Sequence, residues 1–325
     1  MKSGFSKLTG IVIIVAILLS GCAATKHAKQ TRKARTQSSQ VSASSSSSKS
    51  AVKKPKRSSR MSNAQRQIRT IEQRTVTSAS GRTSVYVRNL QTKRPVVMHN
   101  RQQRSASVIK LFIMIAVFRQ IKLGRLSASQ MVTIPKQDRV GGTGVLASQS
   151  TKQLSVNQLL TLMIRNSDNT ATNVLIDQLG GLRPVNTEIQ RLGCTQTVLQ
   201  RKMLDYQALK NGKDNLTSVA DVGHVLGKLY QHQILGNPYD AQMLQLLRHN
   251  ANQSKIPTLI NQKAIIYNKT GEFPDYGVQN DAAIVKKGHQ AFVAVVLSEN
   301  GAQNRQIKAM QQLGRRLFGV VFSHE

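Results

Sequence analysis

The feature that most constrains the fold is an apolar run from Val108 to Val117 that contains one lysine, Lys110. A surface helix would keep a polar stripe, so this pattern predicts a helix that is buried on all sides. Burial disfavours the charged form of an amine and lowers its pKa, unless hydrogen-bond acceptors hold it charged. Lys110 is therefore a candidate proton acceptor near neutral pH.

Ser107 lies three residues before Lys110, one helical turn away on the same face. A hydroxyl beside an amine that can take its proton is an activated nucleophile. The Ser-x-x-Lys pattern alone is unspecific, since Ser46–Lys49 and Ser50–Lys53 also match it within a serine-rich stretch. The structural alternative is a serine that caps a helix, followed by a lysine whose stem covers apolar surface.

The N-terminus predicts an export signal at residues 1–21. Lys2 and Lys7 precede an apolar stretch from Ile11 to Leu19, and small residues lead to Cys22. This end resembles a bacterial lipobox, which implies a lipid on Cys22 and residence on the outer face of the cytoplasmic membrane. An uncleaved membrane anchor is the alternative, although nine apolar residues are short for a spanning helix.

Residues 22–62 predict a disordered basic tether that is rich in Ser, Lys and Arg and has no aromatic residue. Fifteen Lys and Arg precede the first acidic residue, Glu72. Such a segment could bind the membrane or anionic cell-wall polymers through its charge, or act only as a solvated spacer. We expect no nucleic-acid partner, because the protein is exported and no Arg-rich motif interleaves with aromatic residues in the folded part.

The cysteine and histidine content argues against a metal centre. Cys194 is the only cysteine besides Cys22, and the seven histidines lack a ligand spacing. We predict no intrachain disulfide, metal or cofactor, and we interpret Cys194 as a small buried residue.

Strand patterns occur at both ends of the predicted domain, residues 63–325, and helical periodicity fills its middle. We expect strands at 83–90, 94–99, 265–272, 281–286 and 290–298, and helices at 108–121, 156–165, 170–179, 184–192, 218–230, 239–249 and 307–318. These elements predict an α+β fold in which the terminal strands share a mostly antiparallel sheet and helices cover both faces, an α/β/α sandwich.

Two further motifs follow Ser107 in order. Ser167-Asp168-Asn169 comes 60 residues later, and Lys269-Thr270-Gly271 comes a further 102 residues on. The trio resembles class A β-lactamases and penicillin-binding proteins. The segments GGTGVL, NLTSVADV and GVQNDAAIV are also similar to that family, and the resemblance covers about Thr83 to Val320.

The resemblance implies an acyl-transfer site. Ser107 would attack a carbonyl, with Lys110 as the proton acceptor. Ser167 would carry a proton to the departing nitrogen, and Asn169 would bond the substrate amide and help to fix Lys110. These roles imply the β-lactamase and DD-peptidase fold and a covalent intermediate on Ser107.

The resemblance also implies a substrate anchor. Lys269 and Thr270 would hold the carboxylate of a β-lactam or of a D-Ala-D-Ala peptide. Gly271 would let that substrate approach the strand, and the backbone amides of Ser107 and Glu272 would stabilise the oxyanion.

One departure from class A β-lactamases concerns deacylation. Their loop glutamate falls two residues after an arginine, and Met203 stands there, after Arg201. Asp205 could replace it only if the loop shifted, because the deacylating water must lie within hydrogen-bond reach. We therefore expect a serine hydrolase that deacylates slowly. The alternatives are an efficient class A β-lactamase using Asp205 or another base, and a non-catalytic protein that binds cell wall or senses β-lactams.

Overall fold

The computed structural model describes residues 61–76, 81–92 and 94–323. The predicted signal, Cys22 and nearly all of the tether lie outside these residues. Among the described residues, no helix is both long and apolar enough to cross a membrane.

Five strands drawn from both ends of the chain form one antiparallel sheet, as the sequence predicts. They are β1 (Arg82–Asn89), β2 (Val96–Met98), β7 (Ile265–Phe273), β8 (Val278–Lys287) and β9 (Gln290–Glu299). The spatial order is β2-β1-β9-β8-β7, so the N-terminal strand β1 pairs with the C-terminal strand β9. This order leaves β7 at one edge of the sheet.

Strand β9 is buried on both faces because helices cover both sides of the sheet. Phe292, Ala294 and Val296 join one apolar core, to which the helix α9 (Gln303–Val321) contributes Leu313 and Leu317. The alternate residues of β9 join a second, larger core under the other helices. The two-residue period of the strand therefore separates two cores, and the predicted three-layer fold is confirmed.

The helix α2 (Lys110–Lys122) is the centre of the larger core, and its residues from Lys110 to Phe118 are all buried. This confirms the helix predicted from the apolar run. The helices around it are α3 (Val156–Arg165), α4 (Asn169–Gln178), α5 (Leu182–Arg191), α6 (Tyr206–Lys210), α7 (Val219–Tyr230) and α8 (Tyr239–Arg248). Short strands complete this part: β3 (Gln103–Arg104), β4 (Met131–Thr133), β5 (Gln153–Ser155) and β6 (Leu216–Thr217).

The sequence analysis missed the helix α1 (Asn63–Val76). Its apolar contribution is small, with Ile68 and Val76 buried and Ile71 partly buried. Helix α1 packs on α9, which is longer at both ends than the predicted segment 307–318. Packing on α9 therefore adds to a helix that begins with reciprocal hydrogen bonds between Ser62 and Gln65.

Candidate active site

Ser107 lies in a short 3-10 helix, Ala106–Ile109, directly before α2. It borders a cleft of about 540 Å³ that residues of all three motifs line. Ala106 adopts a positive φ of 42°, which is uncommon for a residue with a side chain. Such local strain persists where the surrounding structure over-determines it, as it often does at functional sites.

Lys110 is fully buried beneath this cleft. Burial lowers its pKa well below the usual value, the charge of Lys269 lowers it further, and Asp168 partly opposes both effects. The Lys110 amine lies 2.7 Å from the Ser167 carbonyl oxygen, 2.8 Å from Asn169 Oδ1 and 3.2 Å from Ser167 Oγ. The predicted desolvation of Lys110 is thus confirmed.

The partners of Lys110 fit either protonation state of its amine. The Ser167 carbonyl and Asn169 Oδ1 can only accept hydrogen bonds, and they use two N–H groups. The Ser167 hydroxyl can accept a third N–H from an ammonium, or donate to the lone pair of a neutral amine. Lys110 can therefore exchange a proton with Ser167 without any rearrangement of its neighbours.

Lys269 reaches the same hydroxyl from the other side, with its Nζ 3.1 Å from Ser167 Oγ. Its amine also donates to the Thr270 carbonyl at 2.8 Å. Burial and the nearby charge of Lys255 lower the pKa of Lys269 to about 7. The Ser167 hydroxyl thus lies between two buried lysines whose pKa values are both lowered by burial.

The turn that carries Ser167 is held by hydrogen bonds to the segment from Thr143 to Leu146. Ser167 has a positive φ of 55°, and its carbonyl accepts a hydrogen bond from Thr143 Oγ1 at 2.7 Å. Asp168 caps α4 through Ala171 N and also accepts the backbone N–H of Val145 at 2.7 Å. A side chain at Gly144 would collide with Asp168, so the glycine is required where these two segments meet.

The edge strand β7 supplies the other wall of the cleft. The Asn268 carbonyl accepts a hydrogen bond from the Asn250 side chain, and the Thr270 carbonyl accepts one from the Lys269 side chain. The backbone groups of these two alternate residues therefore point away from β8. By the same alternation, the N–H of Glu272 points into the cleft.

Gly271 brings β7 close to the nucleophile. A Cβ at this position would lie 2.9 Å from the Ser105 carbonyl and 3.0 Å from the Ser107 amide. The strand can therefore approach the 3-10 helix this closely only because residue 271 has no side chain. The structure thus places the Ser107 amide beside β7, one residue from Glu272.

Lys255 is a buried site residue that the sequence analysis missed. Its amine lies 3.1 Å from Glu272 Oε1 and 3.1 Å from the Asn280 carbonyl. Burial lowers its pKa, and Glu272 and Asp281 oppose that shift. Asp281 is also buried, which raises its pKa to about 6. No local pattern marks Lys255, because the chain fold alone brings it behind Lys269-Thr270-Gly271.

Met203, the residue predicted to stand in place of the loop glutamate, lines the cleft wall. Its side chain is buried at 7% exposure. Asp205 is exposed and caps α6 by accepting the Ala208 N–H at 2.9 Å, and it is not among the cleft-lining residues. Within the described part of the chain, the acidic residues that line this cleft are Glu272 and Asp275. The structure therefore brings the acylation residues together but does not bring Asp205 to them.

Arg104, in the short strand β3 that precedes Ser107, connects to the loop containing Arg201 and was also not predicted. Its guanidinium lies 3.1 Å from Asp214, which pairs with Arg201 at 2.8 Å. The same guanidinium stacks 3.9 Å from the centre of the Tyr276 ring. Arg104 therefore links three segments that border the cleft, three residues before Ser107.

Comparison with known proteins gives one consistent result. The model of a family described as the beta-lactamase enzyme family matches residues 63–321. A β-lactamase of Streptomyces lavendulae is 27% identical over 243 residues, which are 71% of this chain and 77% of that protein. A β-lactamase of Citrobacter koseri is 26% identical over 59% of this chain and 66% of its own length.

Solved structures share the fold. A mutant of PBP-A in an acyl-enzyme complex with penicillin G superposes with a TM-score of 0.71 at 26% identity, over 78% of this chain and 95% of that one. A β-lactamase from Sphaerobacter thermophilus DSM 20745 has a TM-score of 0.72 at 24% identity, over 79% and 96% of the two chains.

Proposed function

Because the chain belongs to the β-lactamase enzyme family of serine hydrolases, we propose that it forms an acyl-enzyme on Ser107 with β-lactams or D-Ala-D-Ala-type amides and deacylates slowly. The observation that carries the proposal is the buried array of Lys110, Ser167 and Lys269, in which both lysines lie within 3.2 Å of the Ser167 hydroxyl. Such an array of side chains can move a proton between the nucleophile and a leaving nitrogen.

Acylation would proceed through three proton transfers. Ser107 Oγ attacks the carbonyl carbon while its proton passes to the neutral amine of Lys110. The negative charge that develops on the carbonyl oxygen is stabilised by the amides of Ser107 and Glu272. The carbon–nitrogen bond then breaks, and the nitrogen takes the hydroxyl proton of Ser167, which recovers one from Lys110. The lysine ends as it began, and Ser107 carries the acyl group.

Substrate selection would depend on the positive end of the cleft. Lys269 and Thr270 lie on β7 where a carboxylate alongside the strand would meet them, and Lys255 behind them adds charge. Both β-lactams and D-Ala-D-Ala peptides present such a carboxylate. Asn169, whose Oδ1 contacts Lys110, would bond the substrate amide and keep that lysine in place.

Slow hydrolysis of the acyl-enzyme follows from the side chain of Met203. A thioether cannot accept a proton from water, so the step that needs a general base lacks its usual group. An efficient β-lactamase would need another base, and the capping role of Asp205 argues against that residue. A non-catalytic wall-binding or lactam-sensing protein would have no need of the proton-transfer array.

We further propose that the protein is exported and anchored through lipidated Cys22 to the outer face of the cytoplasmic membrane. The sequence Leu19-Ser20-Gly21-Cys22 supports this anchor. The basic residues from 22 to 62 would then lie between membrane and enzyme, where they could bind anionic lipids or cell-wall polymers.

The test is intact-protein mass spectrometry of the purified protein mixed with a penicillin and followed from seconds to hours. A persistent adduct on Ser107 supports the proposal. A transient adduct with many turnovers indicates an efficient β-lactamase, and the absence of any adduct favours the non-catalytic alternative. Peptides ending in D-Ala-D-Ala, tested next, decide the natural substrate class.

A further inference from the structure

The packed pair of helices α1 and α9 carries an excess of positive charge. The two helices contain seven Lys and Arg, all of them exposed: Arg66, Arg69, Arg74, Arg305, Lys308, Arg315 and Arg316. Their one acidic residue, Glu72, is fully buried. Burial raises the pKa of Glu72 to about 8, so this side chain adds little negative charge near neutral pH.

On α9 the cations form a stripe. Arg305, Lys308 and Arg316 recur with Gln312 at intervals of three and four residues, which places them on one face of the helix. The stripe extends about 16 Å along the helix axis. The opposite side of the helix carries residues that face the core, such as Leu313 and Leu317.

The stripe borders a groove of about 240 Å³ between the two helices. Arg74 of α1 lines the groove together with Arg305, Lys308 and Arg316. Arg316 donates to Thr75 Oγ1 at 3.3 Å, which orients its guanidinium along the groove. Four cations from two helices thus converge on one concave surface.

These cations lack acidic partners within the part of the chain that the structure describes. None of the ion pairs among the described residues includes a residue of α1 or α9. Like charges three residues apart on a helix, such as Arg305 and Lys308, repel each other. A polyanion in the groove would remove that repulsion.

We propose that the groove between α1 and α9 binds a linear phosphodiester polymer without bases, since no aromatic side chain among the described residues lines this groove for base stacking. Arginine, which supplies three of the four groove cations, matches the geometry of phosphate oxygens through paired N–H groups. A regular row of cations matches a regular row of phosphates better than it matches a single anion. The folded domain would then hold the polymer itself, independently of its tether.

A bilayer surface is the less suitable occupant. Membrane-binding faces combine basic residues with exposed apolar side chains that insert between lipids. Among the described residues, the large hydrophobic side chains that are exposed are Leu123, Met131, Val145, Tyr206 and Leu259, and none of them belongs to α1 or α9. A concave groove also suits an extended chain better than a flat surface.

Binding there would leave the active site open. The groove and the cleft share no residue, and α9 contributes to the core on the sheet face opposite to that of α2. The polymer would therefore position the enzyme without competing with its substrate.

The test compares two full-length variants that each lose four positive charges. The groove variant combines Arg74→Gln, Arg305→Gln, Lys308→Gln and Arg316→Gln, and the control combines Arg125→Gln, Lys152→Gln, Arg183→Gln and Arg248→Gln, at exposed positions on other elements. The probe is labelled synthetic poly(glycerol phosphate), titrated at several salt concentrations. The tether is identical in both variants.

We expect the groove variant to bind at least about tenfold more weakly and to lose about three to four units of salt slope, while the control keeps both values. Equal losses in the two variants, or an unchanged groove variant, would overturn the proposal. Penicillin acylation at the parent rate verifies that the groove variant is folded. Vesicles rich in phosphatidylglycerol form the second arm, and a groove variant that loses vesicle binding but keeps polymer binding would assign the surface to lipid instead.

Discussion

The side-chain amide of Asn173 holds the backbone of Met203 at both of its polar groups. Asn173 Oδ1 accepts the Met203 N–H at 2.8 Å, and Asn173 Nδ2 donates to the Met203 carbonyl at 3.2 Å. The position of this residue on the cleft wall is therefore fixed by its backbone. The side chain at position 203 then decides the chemistry of this part of the cleft wall.

Replacing Met203 by glutamate should accelerate deacylation. A carboxylate at this anchored position could activate a water, and general bases contribute about 10²- to 10⁴-fold. The lifetime of the penicillin adduct, measured by mass spectrometry, should shorten accordingly. Met203→Gln is the matched control, because it is similar in size and polar but is not a base. A lifetime equally short in both variants would assign the effect to water entry instead.

Replacing Ser107 by alanine should abolish acylation, since the nearby Ser105 hydroxyl is buried and donates to the Asn215 carbonyl at 2.9 Å. The mass of the protein after incubation with a penicillin should stay unchanged. A retained covalent adduct would refute Ser107 as the nucleophile.

Acylation should show a bell-shaped dependence on pH. The acidic limb reflects protonation of Lys110, whose pKa is lowered by burial, because only the neutral amine can take the Ser107 proton. The alkaline limb should fall above about pH 7, where Lys269 loses the charge that holds the substrate carboxylate. The second-order acylation rate, measured across pH, reports both limbs.

The control for this profile is Lys269→Arg. A guanidinium stays charged, so the alkaline limb should move upward in pH while the acidic limb remains. An alkaline limb that stays in place would mean that another group titrates there.

Replacing Asp205 by asparagine should leave deacylation unchanged. Asp205 caps α6, and asparagine caps a helix about as well. The lifetime of the adduct should therefore match that of the parent, and the thermal midpoint should change little. A lifetime that lengthens tenfold or more would identify Asp205 as the base after all.

Replacing Glu72 by glutamine should stabilise the fold at alkaline pH. Burial raises the pKa of the folded-state carboxyl from 4.5 to about 8, so the folded protein holds a proton that the unfolded chain releases. This contribution is complete below about pH 4.5 and is lost as the pH rises through about 8. Unfolding midpoints between these limits should fall with pH in the parent, and less so in the variant. Parallel curves would exclude Glu72 as the cause.

Local patterns were enough to predict much of this fold. The apolar run around Lys110 predicted a buried helix because a segment without a polar stripe can be stable in water only when it is enclosed. Strand character at 290–298 was also predicted, and in the structure this segment is β9, which is buried on both faces of the sheet. The helix α1 was not predicted from its polar composition, because its stability depends on packing against α9.

The sequence by itself determined the order of the three motifs, the desolvation of Lys110 and the absence of a carboxylate at Met203, since each can be read from the linear order of the residues. Only the tertiary structure decided that Ser167 lies between Lys110 and Lys269, that Lys255 stands behind Glu272 and that Asp205 caps a helix. The first two depend on distances between residues far apart in the chain, and the third depends on where α6 begins. Such distances are set by how the sheet and helices pack, which no local pattern encodes.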